Sequence, residues 1–500
     1  MSDKKNNFWG ELPENPAEAR QPKPAKNPNH KFDKKWLLVC ILAIIALVVG
    51  VVANINSNDN DPTKVTGLVD IDNGDQKINW DRYTTTDIEL TEGVTISNSG
   101  IYHLTGELQD SFIMIDSGTK GEVKLILDNV TIKNSSGPAI SCISGDDLVI
   151  ELVGENTLDD GASYSSDLDE DINGAIYSKA DLTFNGDGTL NITSNYQDAI
   201  VGKDDVKING GVYNITSVDD GIRGKDSVYI VSGEFNIISK QDAIKSTNDV
   251  DSGKGFILVE NGKINISAGD DGIHGIRVLI VQDGDININK SYEGLEAQKI
   301  VVNGGNISVT ASDDGINAGG SSDNTSKSNN TFEADKNCEL IINDGNIYVN
   351  AGGDGIDSNG WIYLNGGEVT VDGPTNNGNG ALDSGAGIVM NGGRVIAVGS
   401  SGMAETPGTS SSVFSISIYF ATSNKADTML EIKNSSNETI VSHTSAKTFA
   451  HATIGSEAFV FGETYTIYLD GESYKEFTIS DTVTTIGSSN YNTNMLPGRR

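Results

Sequence analysis

The sequence predicts an all-β protein. The expected fold is a right-handed parallel β-helix of three-strand coils, with a β-rich C-terminal cap and an N-terminal transmembrane helix. Three observations carry this expectation. An acidic step followed by Gly or Ala and an aliphatic residue recurs at Asp198, Asp220, Asp242, Asp271, Glu293, Asp314 and Asp354. Its spacings are 22, 22, 29, 22, 21 and 40 residues, a fixed minimum with occasional insertions, as a stacked repeat requires. Between these steps apolar residues alternate at period two, and many of the 57 glycines mark corners. Far upstream, Trp36 to Ala53 is an uncharged apolar run.

Residues 1–35 carry eight Lys or Arg against five acids and are rich in Pro, so they read as a disordered tail. The eighteen residues 36–53 reach the lower limit for a membrane-crossing helix. The basic flank before them places the tail in the cytoplasm and the rest of the chain outside the cell membrane. A cleaved signal peptide is the other reading, and it exports the repeat equally. Residues 54–79 read as a polar linker.

Residues 80–410 form the repeat. In the unit that starts at Asp220, Ile222 opens a short strand, Val228 and Ile230 alternate, Gly233 turns, and Phe235 and Ile237 alternate again. The following units repeat this with Val278, Ile280, Ile286 and Ile288, then Ile300, Val302, Ile307 and Val309. Corners fall at Asn209-Gly210-Gly211, Asn303-Gly304-Gly305, Asn365-Gly366-Gly367 and Asn391-Gly392-Gly393, where Gly takes positive φ. A propeller blade needs about 40 residues, so the shorter step argues against that fold. Trp80 to Thr157 has strand patterns without the acidic step and reads as the capping and first coils. Insertions fall at 158–171, 246–254 and 319–336. After Gly402 the pattern stops, and 411–488 reads as a β-rich cap or small sandwich with a hairpin turn at Asp470-Gly471. Residues 489–500 read as a disordered tail.

With 70 acidic and 35 basic residues the chain has a formal net charge of −35, which argues against nucleic acid as a partner. Cys40, Cys142 and Cys338 form neither a disulfide framework nor a zinc spacing. Five His and no recognisable nucleophile–His grouping argue against a nucleophilic hydrolase, and no catalytic residue is assigned.

Stacked coils place equivalent residues about 4.8 Å apart. Asp198, Asp220, Asp242, Asp271, Glu293, Asp314 and Asp354 therefore form a carboxylate column, with Asp219, Asp270 and Asp313 beside it. Like charges at that spacing disfavour joint ionisation unless a cation compensates, and Ca2+ is the expected cofactor for such a set of oxygens. The plainer reading is that each Asp bonds backbone amides in its turn. Arg223, Lys245 and His274 occupy one position in successive coils and read as a groove contacting acidic sugars. Among the aromatics, Tyr292 and Trp361 are the candidate sugar-stacking rings, covering of the coil surface being the alternative.

The segments from Asn173 to Leu190, Val201 to Gly211 and Asp219 to Val228, with Leu125 to Ile132 and Glu155 to Gly161 before them, resemble a bacterial family of exported carbohydrate-binding β-helix proteins. The resemblance covers about residues 80–410. It implies binding of cellulose or acidic polysaccharide, bound calcium, and a shape similar to the calcium-dependent pectate lyases of polysaccharide lyase family nine. In those lyases a Lys removes the proton α to the uronate carboxyl, which would make Lys203, Lys225 or Lys245 the candidates here. A base needs a lowered pKa, which a solvated Lys lacks, so the expectation is a membrane-anchored cell-surface binding protein without catalysis. A lyase or a structural adhesin are the alternatives.

Overall fold

A computed structural model describes residues 68–319 and 334–488. The Trp36–Ala53 run and most of the 319–336 insertion lie outside these residues. Among the described residues, no helix is long and apolar enough to cross a membrane.

The described chain is all-β, with one short α-helix (Gly74–Lys77) and one 3-10 turn (Trp80–Arg82). From Thr85 to Gly399 the strands fall into three columns in which each strand pairs in parallel with its counterpart one repeat later. The first column runs through Gly174–Ser178, Asp198–Gly202, Ile222–Gly224, Ile244–Ser246 and onward to Leu382–Ser384. The second includes Asp181–Gly186, Asp205–Ile208, Ser227–Ile230, Phe256–Val259 and Trp361–Leu364. The third includes Thr189–Thr193, Val212–Thr216, Glu234–Ile238 and Lys263–Ser267.

In-register pairing stacks like on like. In the first column Ile200, Ile222, Ile244, Ile273, Leu295, Ile316, Ile356 and Leu382 follow one another at the same position, all buried. In the third column Tyr213 and Phe235 are neighbours, and their rings stack inside with centroids 4.9 Å apart. A pleated strand sends alternate side chains to opposite faces, so the ladder that faces inward builds one continuous core. The second Gly of each corner is at positive φ: Gly211 at 100°, Gly305 at 92°, Gly367 at 76° and Gly393 at 73°.

The C-terminal part departs from this scheme. Arg394–Gly399, the last strand of the third column, pairs antiparallel with Phe449–Ser456. Ser415–Asn424 joins that strand on its other side, and a separate four-stranded antiparallel sheet completes a module with its own core, including Ile416, Ile432 and Phe449. Asp470 and Gly471, at φ 51° and 80°, turn the hairpin between Thr464–Leu469 and Glu472–Thr478.

Part of the stretch expected to be a free linker belongs to the fold. Residues 68–77 form a strap against the outer face of the second column, where Val69 is buried with Tyr229, Leu258, Ile280 and Val301. The reason is that Tyr229, Leu258, Ile280 and Val301 point outward yet are apolar, and the strap removes them from water.

Candidate functional site

The carboxylate column exists. Along it one oxygen of each aspartate accepts the backbone N–H of the corresponding residue in the next coil. Asp198 accepts from Asp220 (3.0 Å), Asp220 from Asp242 (3.1 Å), Asp242 from Asp271 (2.9 Å) and Asp271 from Glu293 (3.2 Å). Later in the chain Asp314 accepts from Asp354 (2.6 Å) and Asp354 from Gly380 (2.5 Å). The Asp residues thus do bond amides, but across coils rather than within their own turns. The second oxygen of each aspartate is left to meet a side chain, as Asp198 Oδ2 meets Arg223 and Asn173.

What meets that second oxygen changes along the column. The residue three positions after each acid points outward in the same strand, and register aligns Arg223, Lys245, His274, Glu296, Asn317, Asp357 and Asp383 in one row. In the early coils this row is cationic. Arg223 pairs with Asp198 and lies 3.9 Å from Asp220. Lys245 Nζ is 2.5 Å from Asp242 Oδ2, and His274 Nδ1 is 3.3 Å from Asp271 and 3.6 Å from Asp242. Burial would lower the pKa of Lys245, but the charges of Asp242 and Asp220 and the Asp242 hydrogen bond outweigh it and raise it. Likewise burial would lower His274, yet its bonds to Asp242 and Asp271 hold it up at about 10. Burial in turn would raise Asp242, but the hydrogen bond from His274 and the charge of Lys245 bring its pKa below the usual carboxylate range. Arg223, Lys245 and His274 therefore neutralise the column from within, and part of their donor capacity is spent there.

In the later coils the row is acidic or neutral. Glu293 accepts 2.9 Å from Asn317 Nδ2. Among the described residues no Lys, Arg or His pairs with Asp314, Asp354 or Asp357. Burial, reinforced by neighbouring carboxylates, raises Asp314 to about 6, Asp354 to about 7 and Asp357 to about 8. Beside them the Asn317 Oδ1 atom is buried and accepts no hydrogen bond. Carboxylates without a cation and an orphaned carbonyl oxygen are the type of hard donor that Ca2+ takes, but among the described residues the acids whose ligand atoms lie together are in earlier coils. Earlier, the carboxylate oxygens of Asp198, Asp219 and Asp220 lie within 4.8 Å of one another, as do ligand atoms of Asp242, Asp271 and His274, and of Asp271, Glu293 and Glu296. Asp270, raised by burial and by Asp271, and Asp313 flank the column without entering these groups.

The predicted aromatics divide. Tyr292 is 48% and Trp361 38% exposed, whereas Tyr177 and Tyr213 are wholly buried. Trp361 and Tyr363 project from the outer face of the second column with rings stacked 6.0 Å apart, and Gly387, the residue paired with Trp361, leaves the space its ring needs. Burial and the charge of Arg223 lower the pKa of Lys203.

Two features escaped the sequence reading. One is the row of Glu296, Asn317, Asp357 and Asp383, although its signal was present: the fourth residue of each acidic step changes from basic to acidic along the chain. The other is an uncharged ladder on the outer face of the third column. There Asn214 donates to Asn191 (2.8 Å), Asn236 to Asn214 (3.0 Å) and Asn265 to Asn236 (3.2 Å), along an open hollow of about 450 Å³. The recurring Asn-Ile pairs at 191, 214, 236 and 265 were its signal.

Comparison with known proteins places part of the chain. A protein of Acetivibrio thermocellus described as a carbohydrate-binding domain-containing protein is 34% identical over 144 residues, which cover 28% of this chain and 49% of that protein. The chain thus spans about half the length of that relative. A solved structure described as the polysaccharide lyase-like protein from C. thermocellum, gadolinium derivative, is 28% identical, covers 44% of this chain and 92% of its own, and superposes with a TM-score of 0.38. Residues 91–328 match the family described as carbohydrate-binding domain-containing protein, and over that span the chain is similar to that family.

Proposed function

We propose that this chain is a cell-surface polysaccharide-binding protein whose coils wind as a right-handed β-helix and which holds acidic glycan through Ca2+ on the later half of the column. The observation that carries the reading is the row that turns from Arg223, Lys245 and His274 to Asn317 and Asp357. Asp314, Asp354 and Asp357, with the Asn317 carbonyl, are the proposed ion ligands, and bound Ca2+ would supply positive charge to a uronate carboxylate where the protein alone would repel it. Neutral glycan such as cellulose would lie against the Trp361–Tyr363 rings, which offer flat apolar faces with little entropy to lose. The right-handed winding is supported by the general preference for right-handed crossovers between parallel strands. Anchoring by Trp36–Ala53 rests on that run and its basic flank.

The same contacts favour binding over catalysis. Lys245 is held protonated against Asp242, so it makes a poor base. Lys203 is the residue that would carry a lyase reaction, because its pKa is lowered. The test is a pull-down of the protein on insoluble cellulose and on polygalacturonate, with calcium or chelator, while near-ultraviolet absorbance follows unsaturated product. Calcium-dependent retention on polygalacturonate without absorbance is the expected result. Product that disappears in Lys203→Ala would replace binding with lyase activity, and retention unaffected by chelator would remove calcium from the account. For the anchor, protease on intact cells should release the ectodomain, whereas recovery of the whole chain in the cytosol would end that part.

A further inference from the structure

The outer face of the third column carries an uncharged strip on a chain whose formal net charge is −35. Register aligns Asn191, Asn214, Asn236, Asn265 and Asn287 in one row along successive coils. The hollow of about 450 Å³ along this row is lined by Asn, Ile, Thr and Ser alone. At its edge Glu234 and Lys263 neutralise each other at 3.0 Å. Such a strip neither attracts nor repels an ion, so the ligand that suits it is uncharged.

The ladder bonds leave part of each amide unused. An Asn amide offers two N–H donors and an oxygen with two lone pairs. Asn214 spends one donor on Asn191 (2.8 Å) and one lone pair on Asn236 (3.0 Å), and Asn236 likewise bonds Asn214 and Asn265. Both are exposed, so among the described residues one N–H and one lone pair of each remain for a ligand. In-register stacking repeats these groups about every 4.8 Å. An apolar side chain stands in the middle of the polar strip: Ile238, 59% exposed, lines the hollow next to its register partner Thr216. Beyond Asn287 the row continues through Ser308 to Tyr348 along a second hollow of about 240 Å³. There the Tyr348 hydroxyl donates to Asp372 at 2.8 Å, which fixes the ring.

We propose that this strip is a second glycan face, which takes an uncharged polysaccharide lying along the column and across the strands. The unused N–H and lone pair of Asn214 and Asn236 bond sugar hydroxyls, which are themselves both donors and acceptors. Ile238 and the Thr216 methyl pack against the apolar face of a pyranose ring. An extended pyranose chain repeats at nearly the coil spacing, so successive rings meet equivalent amides. The inference rests on the reading of this chain as polysaccharide-binding and goes beyond it in place and chemistry, since neither calcium nor the Trp361–Tyr363 rings take part.

The test is calorimetric titration of the full-length protein, in chelator, with soluble cellohexaose, xylohexaose and mannohexaose. At least one of them should bind, and part of that binding should remain in Trp361→Ala, which lacks the other neutral contact. In that background Asn214→Ala with Asn236→Ala should weaken the remaining affinity about tenfold, as loss of two neutral hydrogen bonds does. Ile238→Glu changes an exposed side chain and no ladder bond, so it keeps the test readable if the Asn variant fails to fold. It should weaken affinity as much and leave the melting temperature unchanged. Binding that vanishes in Trp361→Ala alone, or affinity unchanged by Ile238→Glu, would overturn the proposal while the polysaccharide reading stands. A wild type that binds no hexasaccharide overturns it too, and that reading falls with it only if calcium-dependent retention on polygalacturonate is also absent. A wild-type dimer that Ile238→Glu splits, with titration unchanged, would assign the strip to a second copy of the chain instead.

Discussion

The coils around Asp242 and the coils around Asp354 share one backbone plan and solve the same electrostatic problem differently. Both stack carboxylates, buried around Asp242 and half-buried around Asp354, whose inner oxygens bond the amide of the next coil. Around Asp242 the chain supplies Lys245 and His274, and the acid is held ionised. Around Asp354 it supplies Asp357 and Asn317, and the acids are pushed toward their protonated forms. The repeat thus fixes where charge is placed. The fourth residue of the step decides whether the protein itself supplies a neutralising cation.

The comparison breaks most visibly by making one half resemble the other. Lys245→Met leaves Asp242, 1% exposed, with its cations reduced to His274. Removing one partner of a buried pair costs about 3–5 kcal/mol, so denaturant unfolding in chelator should show a loss near the lower end of that range, with His274 retaining part of the compensation. Added calcium should recover some of it. The converse exchange, Asn317→Lys, places an ammonium in the acidic half beside Glu293 and Asp314. It should raise stability in chelator by about 1–2 kcal/mol, as a charge-assisted hydrogen bond does, and reduce the calcium-induced increase in melting temperature.

The two halves should also differ in pH window. His274 has a folded pKa of about 10, above its unfolded value near 6.5, so its contribution is complete below about 6.5 and lost as pH rises through 10. Asp354 and Asp357, at about 7 and 8 when folded, bind protons more tightly folded than unfolded. Their contribution is present below about 4 and lost as pH rises through 7 to 8. Without calcium, melting temperature should fall across that lower window, and the calcium-induced shift should be larger at pH 8 than at pH 5. A calcium shift independent of pH would mean that the ion and the protons do not compete for these acids.

The smallest expected effect lies outside the column. Trp361→Ala should weaken retention on insoluble glucan about fivefold, near 1 kcal/mol for one aromatic contact, and leave the melting temperature and its calcium dependence unchanged. Loss of stability in that variant would make the ring a cover for the coil surface.

Much of this was legible in the sequence because a stacked repeat makes every position visible several times. The Ile200-to-Leu382 ladder, the Asn-Gly-Gly corners and the acidic column follow from spacing alone. The role of Arg223, Lys245 and His274 was not. Their common position was clear, but their turning back onto Asp198, Asp242 and Asp271 depends on where the outward side chain lies relative to the next coil. The strap was hidden for a different reason. Leu68, Val69 and Ile71 sit in a polar stretch with no period of their own, and only the outward apolar residues of distant coils give them a place to bury. The C-terminal cap lay between, since its strands and the Asp470-Gly471 turn could be read but their antiparallel attachment to Arg394–Gly399 could not.

The division of the column is tested most directly by melting temperature with calcium against chelator in two double variants, Asp354→Asn/Asp357→Asn and Asp198→Asn/Asp220→Asn. The first should lose most of the wild-type calcium shift while becoming more stable in chelator, because half-buried like charges have been removed. The second should keep the calcium shift and become less stable in chelator, because Arg223 has lost its partners. A calcium shift that survives in the first variant and vanishes in the second would contradict the account and place the ion among the early coils.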